Sequence, residues 1–411
     1  MSSIDIESVR RDTPGCLERA HFNNAGAALM PNQVLEAVIG HLELETQIGG
    51  YEAAAAAHDR LEAVYTSAAS LLNCDPSEVA LTENATRAFN AVLYALPFES
   101  GDRILTGKAE YCSNYMAYLH LARTTRIEVV VVPDDEYGQI DVDELKRRIN
   151  GSVKLIALTH VPTSGGLVNP AAAVGRVARE AGVAFLLDAC QSVGQMPIDV
   201  QEIGCDFLST TGRKYLRGPR GTGLLYVKRE RINGLHPPMV DVGGADWTRL
   251  DSYEFRPDAR RFETWEAAHA LRLGLGRAID YAVDIGLEEI WVRVQNLADS
   301  LRNQLAGIPA VRQHDLGAVR CGIVSFSVTG VSPDVVKATL ARRNVNIELS
   351  SVDDTRLDLE ERGLSRFLRA SVHYYNTHEE VTRLSQLIGA IANEDRVALA
   401  GEFVIRAPVP D

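Results

Sequence analysis

The sequence predicts an α/β protein: a mostly parallel seven-stranded sheet in a large domain, with a smaller α+β domain at the C-terminal end. Three observations carry that expectation. Seven short apolar runs fall between residues 78 and 230, helix-length amphipathic stretches separate most of them, and each run is continuously apolar instead of alternating. A strand that is apolar on both faces needs cover on both, and helices laid over the two faces of a parallel sheet supply it.

The runs are EVALT (78–82), RILT (103–106), IEVVVV (127–132), KLIALT (154–159), AFLLD (184–188), DFLS (206–209) and GLLYV (223–227), all read as buried strands. Helices are expected over 85–96, 141–149 and 171–181. The stretch 237–261, rich in Pro, Gly, Asp and Arg, reads as a long ordered loop, and helix is expected over about 262–305. Strands at 322–328, 345–349 and 369–372 then alternate with helices at 334–342 and 379–391. The expected organisation is an N-terminal segment 1–30, a large domain 31–260, connecting helices 261–305 and a small domain 306–411.

A chain of 411 residues with 46% hydrophobic and 24% charged residues has ample material for a core. Acidic side chains outnumber basic ones 55 to 42, a formal charge of -13, which repels nucleic-acid phosphates and excludes a general nucleic-acid binder. The N-terminus carries no apolar signal core, and no apolar run approaches the roughly 20 residues of a membrane-spanning helix. Six scattered cysteines without a C-x-x-C pair read as reduced thiols, and neither zinc-site spacing nor H-E-x-x-H occurs. A soluble, cytoplasmic, metal-free protein is expected. Only Lys108, Lys146, Lys154, Lys214, Lys228 and Lys337 offer a primary amine.

Four segments carry chemistry. LLDACQSVG ends a buried strand with Asp188 and Gln191. STTGRKYLRGPRGTG places Lys214 in a turn rich in glycine and hydroxyls, with Arg213, Arg217 and Arg220 around it. TENAT (82–86) sits where a strand becomes a helix, whose free N–H groups suit an anion. FLRASVHYYNT puts Arg369 on a strand, and a guanidinium can grip a carboxylate with two parallel bonds. Taken alone each has a plain reading: a turn cap, a solvated lysine, a helix cap and a salt bridge. Taken together they match the needs of pyridoxal phosphate, which requires a lysine for its Schiff base, an acid at its ring nitrogen and an anion site for its phosphate. Tyr111 in AEYCSNY is the candidate aromatic to stack on the ring.

The chain resembles the class V aminotransferase and cysteine desulfurase family, within fold type I of the pyridoxal-phosphate enzymes. The resemblance runs from HFNNAGAALMP to YNTHEEV, and its most specific block is D-A-x-Q followed by T-x-G-x-K-x-L-x-G-P-x-G-x-G. It implies Lys214 as the Schiff-base residue, Asp188 as partner of the ring nitrogen and Gln191 as partner of the ring hydroxyl. Ala85, Thr86, Thr211 and Arg213 would hold the phosphate, and Arg369 the substrate carboxylate, with Asn24 and Thr163 as further substrate contacts. A homodimer is implied too, with ARRFETWE (259–266) reaching the neighbouring subunit's site.

The chain departs from the family pattern at several places. Tyr111 and Arg213 stand where histidine is common, Thr163 where asparagine is frequent, and ARRFETWE lacks the Gly-Thr of the desulfurase form. The loop ELSSVDDTRLDLEERGLSRF before Arg369 contains no cysteine, whereas desulfurases of this family carry their reactive thiol there. Ser350 and Ser351 lie in that loop as possible substrate contacts, and Arg249, Arg256 and Arg356 are candidates for a second carboxylate. The expected reaction is β-elimination at a cysteine-derived or S-substituted amino acid by a C–S lyase similar to the cystine lyases. Transamination is the first alternative and epimerisation the second. A non-catalytic anion-binding α/β protein is the reading from another class; the absence of G-x-G-x-x-G after the first strand argues against it.

Overall fold

The computed structural model describes residues 4–393, so the outer ends of the expected segments 1–30 and 306–411 lie outside the described residues. A short strand β1 (Ala20–His21) comes first. The seven apolar runs then form β2 (Val79–Thr82), β3 (Arg103–Thr106), β4 (Glu128–Val131), β5 (Val153–Thr159), β6 (Ala184–Asp188), β7 (Phe207–Thr211) and β8 (Gly223–Val227). They make one sheet in the order β2-β8-β7-β6-β5-β3-β4. Neighbours from β7 to β4 are parallel, and β8 alone runs against both β7 and β2.

Helices cover both faces. The Ala85–Leu93 helix buries Ala88, Phe89, Val92 and Leu93 on one side, and the Ala171–Ala181 helix buries Val174, Val177 and Ala178 on the other. That spacing of three and four is the apolar stripe of a helix lying on a sheet. One strand differs from expectation. IEVVVV is not fully buried, because β4 is the outer strand: Glu128 is exposed and Val129–Val131 are half-buried.

Two other expectations are corrected. The stretch 237–261 is not simply loop, since β9 (Ala245–Arg249) and β10 (Ser252–Phe255) form an antiparallel hairpin. Its glycine, proline and aspartate hid two short strands. The expected helix over 262–305 starts late and is broken. Residue Glu263 is extended, because its carboxylate accepts the Leu81 N–H at 2.8 Å and the Tyr65 hydroxyl at 2.8 Å. Helix runs over His269–Ile285, stops at Gly286, whose φ of 96° only glycine adopts cheaply, and resumes over Leu287–Ala306.

The C-terminal sheet is antiparallel, in the order β11 (Val311–Gln313), β12 (Ile323–Val328), β15 (Arg366–Ser371), β14 (Glu348–Ser351). The run expected as one strand at 345–349 is divided: β13 (Val345–Asn346) pairs instead with β1, in parallel. This pairing ties the N-terminal segment to the C-terminal sheet. One apolar cluster continues from the large sheet into the small one. Among the described residues no helix is long and apolar enough to cross a membrane.

Candidate active site

The carboxyl ends of parallel strands are where open α/β sheets bind ligands. Here β5 ends on Thr159, β6 on Asp188 and β7 on Thr211, with Thr159 and Asp188 in register. Beside them lies a cavity of about 460 Å³. Nine residues singled out from sequence line it together: Ala85, Thr86, Tyr111, Thr163, Asp188, Gln191, Thr211, Arg213 and Lys214.

Lys214 lies in the turn after β7 and is only 8% exposed. Among the described residues its amine makes no hydrogen bond or ion pair. Burial is the largest influence on it and lowers its pKa below the ordinary lysine value, so the neutral, nucleophilic form gains ground. The turn needs Gly194 beneath it: φ there is 92°, and a Cβ would collide with the backbone joining Tyr215 to Leu216. Asp188 faces the same cavity. One carboxylate oxygen accepts the Cys190 N–H at 2.9 Å and the other the Asn114 amide at 2.8 Å.

Ala85 and Thr86 form the first turn of the Ala85–Leu93 helix, capped by Asn84, whose side chain accepts the Arg87 N–H at 3.0 Å. First-turn N–H groups have no acceptor within the helix and favour an anion. Thr211 and Arg213 approach from the opposite wall, and Arg213 donates to the Gly26 carbonyl. Tyr111 occupies the cap position of the Cys112–Thr125 helix, half-buried. Gln191 donates to the Ala25 carbonyl at 3.1 Å and to Thr163 Oγ1 at 3.0 Å. Those bonds turn its Oε1 away, and this buried oxygen has no partner. Arg369 sits behind Thr163 and donates to its carbonyl and its hydroxyl, both at 2.9 Å, while its buried Nε is also unpartnered.

Other expected contacts stand elsewhere. Asn24 is fully committed to the fold: it donates to Ser371 O at 2.7 Å and His21 O at 3.2 Å and accepts the Tyr375 hydroxyl. Its neighbour Asn23 reaches Arg369 instead, at 3.4 Å. Arg217 leaves the basic cluster for the interior, donating to Leu29 O at 2.8 Å and the Tyr374 hydroxyl at 2.6 Å beneath three tyrosine rings. Arg220 does not line the cavity. Arg256 pairs with Asp258, and Arg356 with Asp353 and Glu360; neither these nor Arg249 lines the cavity. Sequence reasoning passed over Glu110, Asn114 and Cys190. Their only signal is proximity, since AEYCSNY holds Tyr111 and LLDACQ holds Asp188. Burial raises the pKa of the Cys190 and Cys112 thiols.

The donor set fits pyridoxal phosphate. An unpaired buried amine, a carboxylate across the cavity, first-turn N–H groups with an arginine, and an orphaned amide oxygen match its aldehyde, ring nitrogen, phosphate and hydroxyl in turn.

The family description aminotransferase class V matches residues 20–384. A probable cysteine desulfurase from Methanothermobacter thermautotrophicus is 30% identical over 95% of this chain and 99% of its own. Among solved structures, the apo cysteine desulfurase from Thermococcus onnurineus superposes with a TM-score of 0.89 at 27% identity, covering 95% of this chain and 99% of its own. The cystine C–S lyase C-DES shares the fold, with a TM-score of 0.82 at 22% identity over 92% of this chain and 99% of its own.

Proposed function

The chain belongs to the class V aminotransferase family and is a pyridoxal-phosphate enzyme, and from that premise we propose that it is a β-eliminating C–S lyase acting on a cysteine-derived or S-substituted amino acid. When bound, the cofactor supplies an electron sink for the charge left at the substrate α-carbon. Lys214 is the covalent anchor and, once released by substrate, the base that takes the α-proton; its buried, unpaired amine supports both tasks. Asp188 holds the ring nitrogen, Gln191 the ring hydroxyl, and Tyr111 covers the ring. Ala85, Thr86, Thr211 and Arg213 hold the phosphate. Arg369, oriented by Thr163, takes the substrate carboxylate, with Asn23 beside it in place of the expected Asn24.

One observation carries the lyase reading over persulfide-forming desulfuration. The segment 350–363 meets the rim of the site where the Cys112 N–H donates to Asp354 O at 3.0 Å, and it contains no thiol; Ser350 and Ser351, expected as loop contacts, stand on β14 and do not line the cavity. Cys190, which lines the cavity, and Cys112, next to Tyr111, both have thiol pKa values raised by burial, which favours the protonated form. Elimination needs no protein thiol: the α-proton goes to Lys214, the C–S electron pair leaves with sulfur, and water releases pyruvate and ammonia.

The enzyme works as a cytoplasmic homodimer. In support, the β9–β10 hairpin and its flanks expose Trp247 (77%), Leu250 (94%) and Trp265 (60%), an unusual amount of apolar surface for a monomer.

Incubation of the holoenzyme with cystine, cysteine and cysteine S-conjugates tests the reaction. Pyruvate in step with released thiol or persulfide is expected, with no sulfur left on the protein. Absence of pyruvate with conversion of the cofactor to its amine form indicates transamination instead, and a persulfide on a protein cysteine indicates a desulfurase.

A further inference from the structure

Glu110 is a carboxylate where the fold has little reason to keep one. It is 3% exposed, and no cation pairs with it among the described residues. Burying a charge without a counter-ion is costly unless hydrogen bonds replace the lost water. Five donors do so. Thr106 Oγ1 donates at 2.7 Å, the Tyr111 N–H at 2.8 Å, the Asn114 amide at 3.0 Å and the Tyr118 hydroxyl at 3.3 Å, with the Thr159 hydroxyl as the fifth. Three of these bonds lead to the site, one of them from Thr159, which itself lines the cavity. The Tyr111 N–H fixes the residue that covers the ring. Asn114 gives its other amide hydrogen to Asp188 at 2.8 Å, so a single side chain bridges the two carboxylates.

We infer that Glu110 is a positioning residue that acts through Asn114 on Asp188 and through the Tyr111 N–H on the ring, holding negative charge behind the cofactor's ring nitrogen. The bridge fixes the rotation of the Asp188 carboxylate. The charge of Glu110 adds to that of Asp188 and favours the protonated, electron-withdrawing form of the cofactor. Burial, the largest influence, together with Asp188 raises the Glu110 pKa above the ordinary glutamate value, and the Thr159, Thr106 and Asn114 donors act against that rise in favour of the carboxylate. The other titratable groups facing the pair are Tyr111 at the cap of the Cys112–Thr125 helix, Tyr118 on that helix, Cys190 after β6 and Lys214 after β7.

The inference rests on the cofactor assignment above, and the experiment separates the two. Holoenzyme without substrate is titrated with acid and base while the absorbance of the bound cofactor is followed, for the parent, Glu110→Gln and Asn114→Ala. A parent that takes up no pyridoxal phosphate defeats the cofactor assignment itself. With the parent loaded, Glu110→Gln keeps the shape and removes the charge, so the spectral midpoint is expected to fall by about one pH unit, the size of one partly buried charge. Asn114→Ala is expected to bind the cofactor about tenfold more weakly, and it serves where the glutamine variant fails to fold. A Glu110→Gln midpoint equal to the parent's, with only its melting temperature lowered, makes Glu110 a loop clamp and overturns the inference, as does an Asn114→Ala protein with parental cofactor affinity.

Discussion

Burial lowers the pKa of Lys214 from an ordinary 10.5, and in the cofactor-free chain that shift has a cost. The unfolded state takes up the proton more readily than the folded one, so the penalty is absent above about pH 10.5 and grows as the pH falls below it. Cofactor-free Lys214→Met is therefore expected to melt above the cofactor-free parent at pH 7, with the gap closing toward pH 10.5; equal melting at pH 7 contradicts the buried-amine account. Arg369→Gln removes the group proposed to take the substrate carboxylate. It is expected to raise KM about a hundredfold, given roughly 3 kcal/mol for a buried charge-assisted bond, with the cofactor spectrum unchanged. At this scale the motifs were readable as placement: Lys214 and Asp188, singled out by residue type, line one cavity. The sequence was silent on Glu110 and Asn114, because a residue that works through another carries no motif of its own. Nor does the sequence separate Arg217 from Arg213: both flank Lys214 in one basic turn, and only the fold encloses Arg217 beneath three tyrosine rings.

Elements set the site by where they stop. β5 and β6 end level with one another, β7 runs two residues further to Thr211, and the turn after β6 passes under the Lys214 turn only because Gly194 adopts positive φ against the Tyr215 backbone. Gly194→Ala forces both strain and a clash, and is expected to cost more than about 2 kcal/mol in urea unfolding and to weaken cofactor binding in parallel. A variant with parental stability contradicts that placement. His160, after β5, is buried and its pKa is lowered to about 4 from 6.5. Its neutral form contributes stability that is complete above pH 6.5 and is lost as the pH falls from there through about 4. His160→Gln is expected to flatten the urea midpoint across that window, by at most about 3 kcal/mol; an unchanged acid slope excludes His160 as its source. The strand set was legible because continuous apolar runs have few other uses. The β9–β10 hairpin was not, because its strands face solvent with Trp247 and Tyr253 and lack an apolar stripe.

For the whole molecule, two sheets share one apolar cluster, and β1 pairs with β13 to bring Asn23 beside Arg369. No local pattern announces a two-residue pairing between segments more than three hundred residues apart, so this part of the site required the fold. The exposed hairpin is expected to be covered by a second copy. Trp247→Glu with Leu250→Glu should shift the sedimenting species from dimer to monomer; a monomeric parent contradicts the dimer. The family, the fold and the cofactor rest on different observations, and all meet at one amine. Borohydride reduction of the purified holoenzyme, followed by peptide mapping, tests that meeting point most directly. The account predicts a pyridoxyl phosphate label on Lys214 and its loss in Lys214→Ala; a label on any other lysine, or on none, contradicts it.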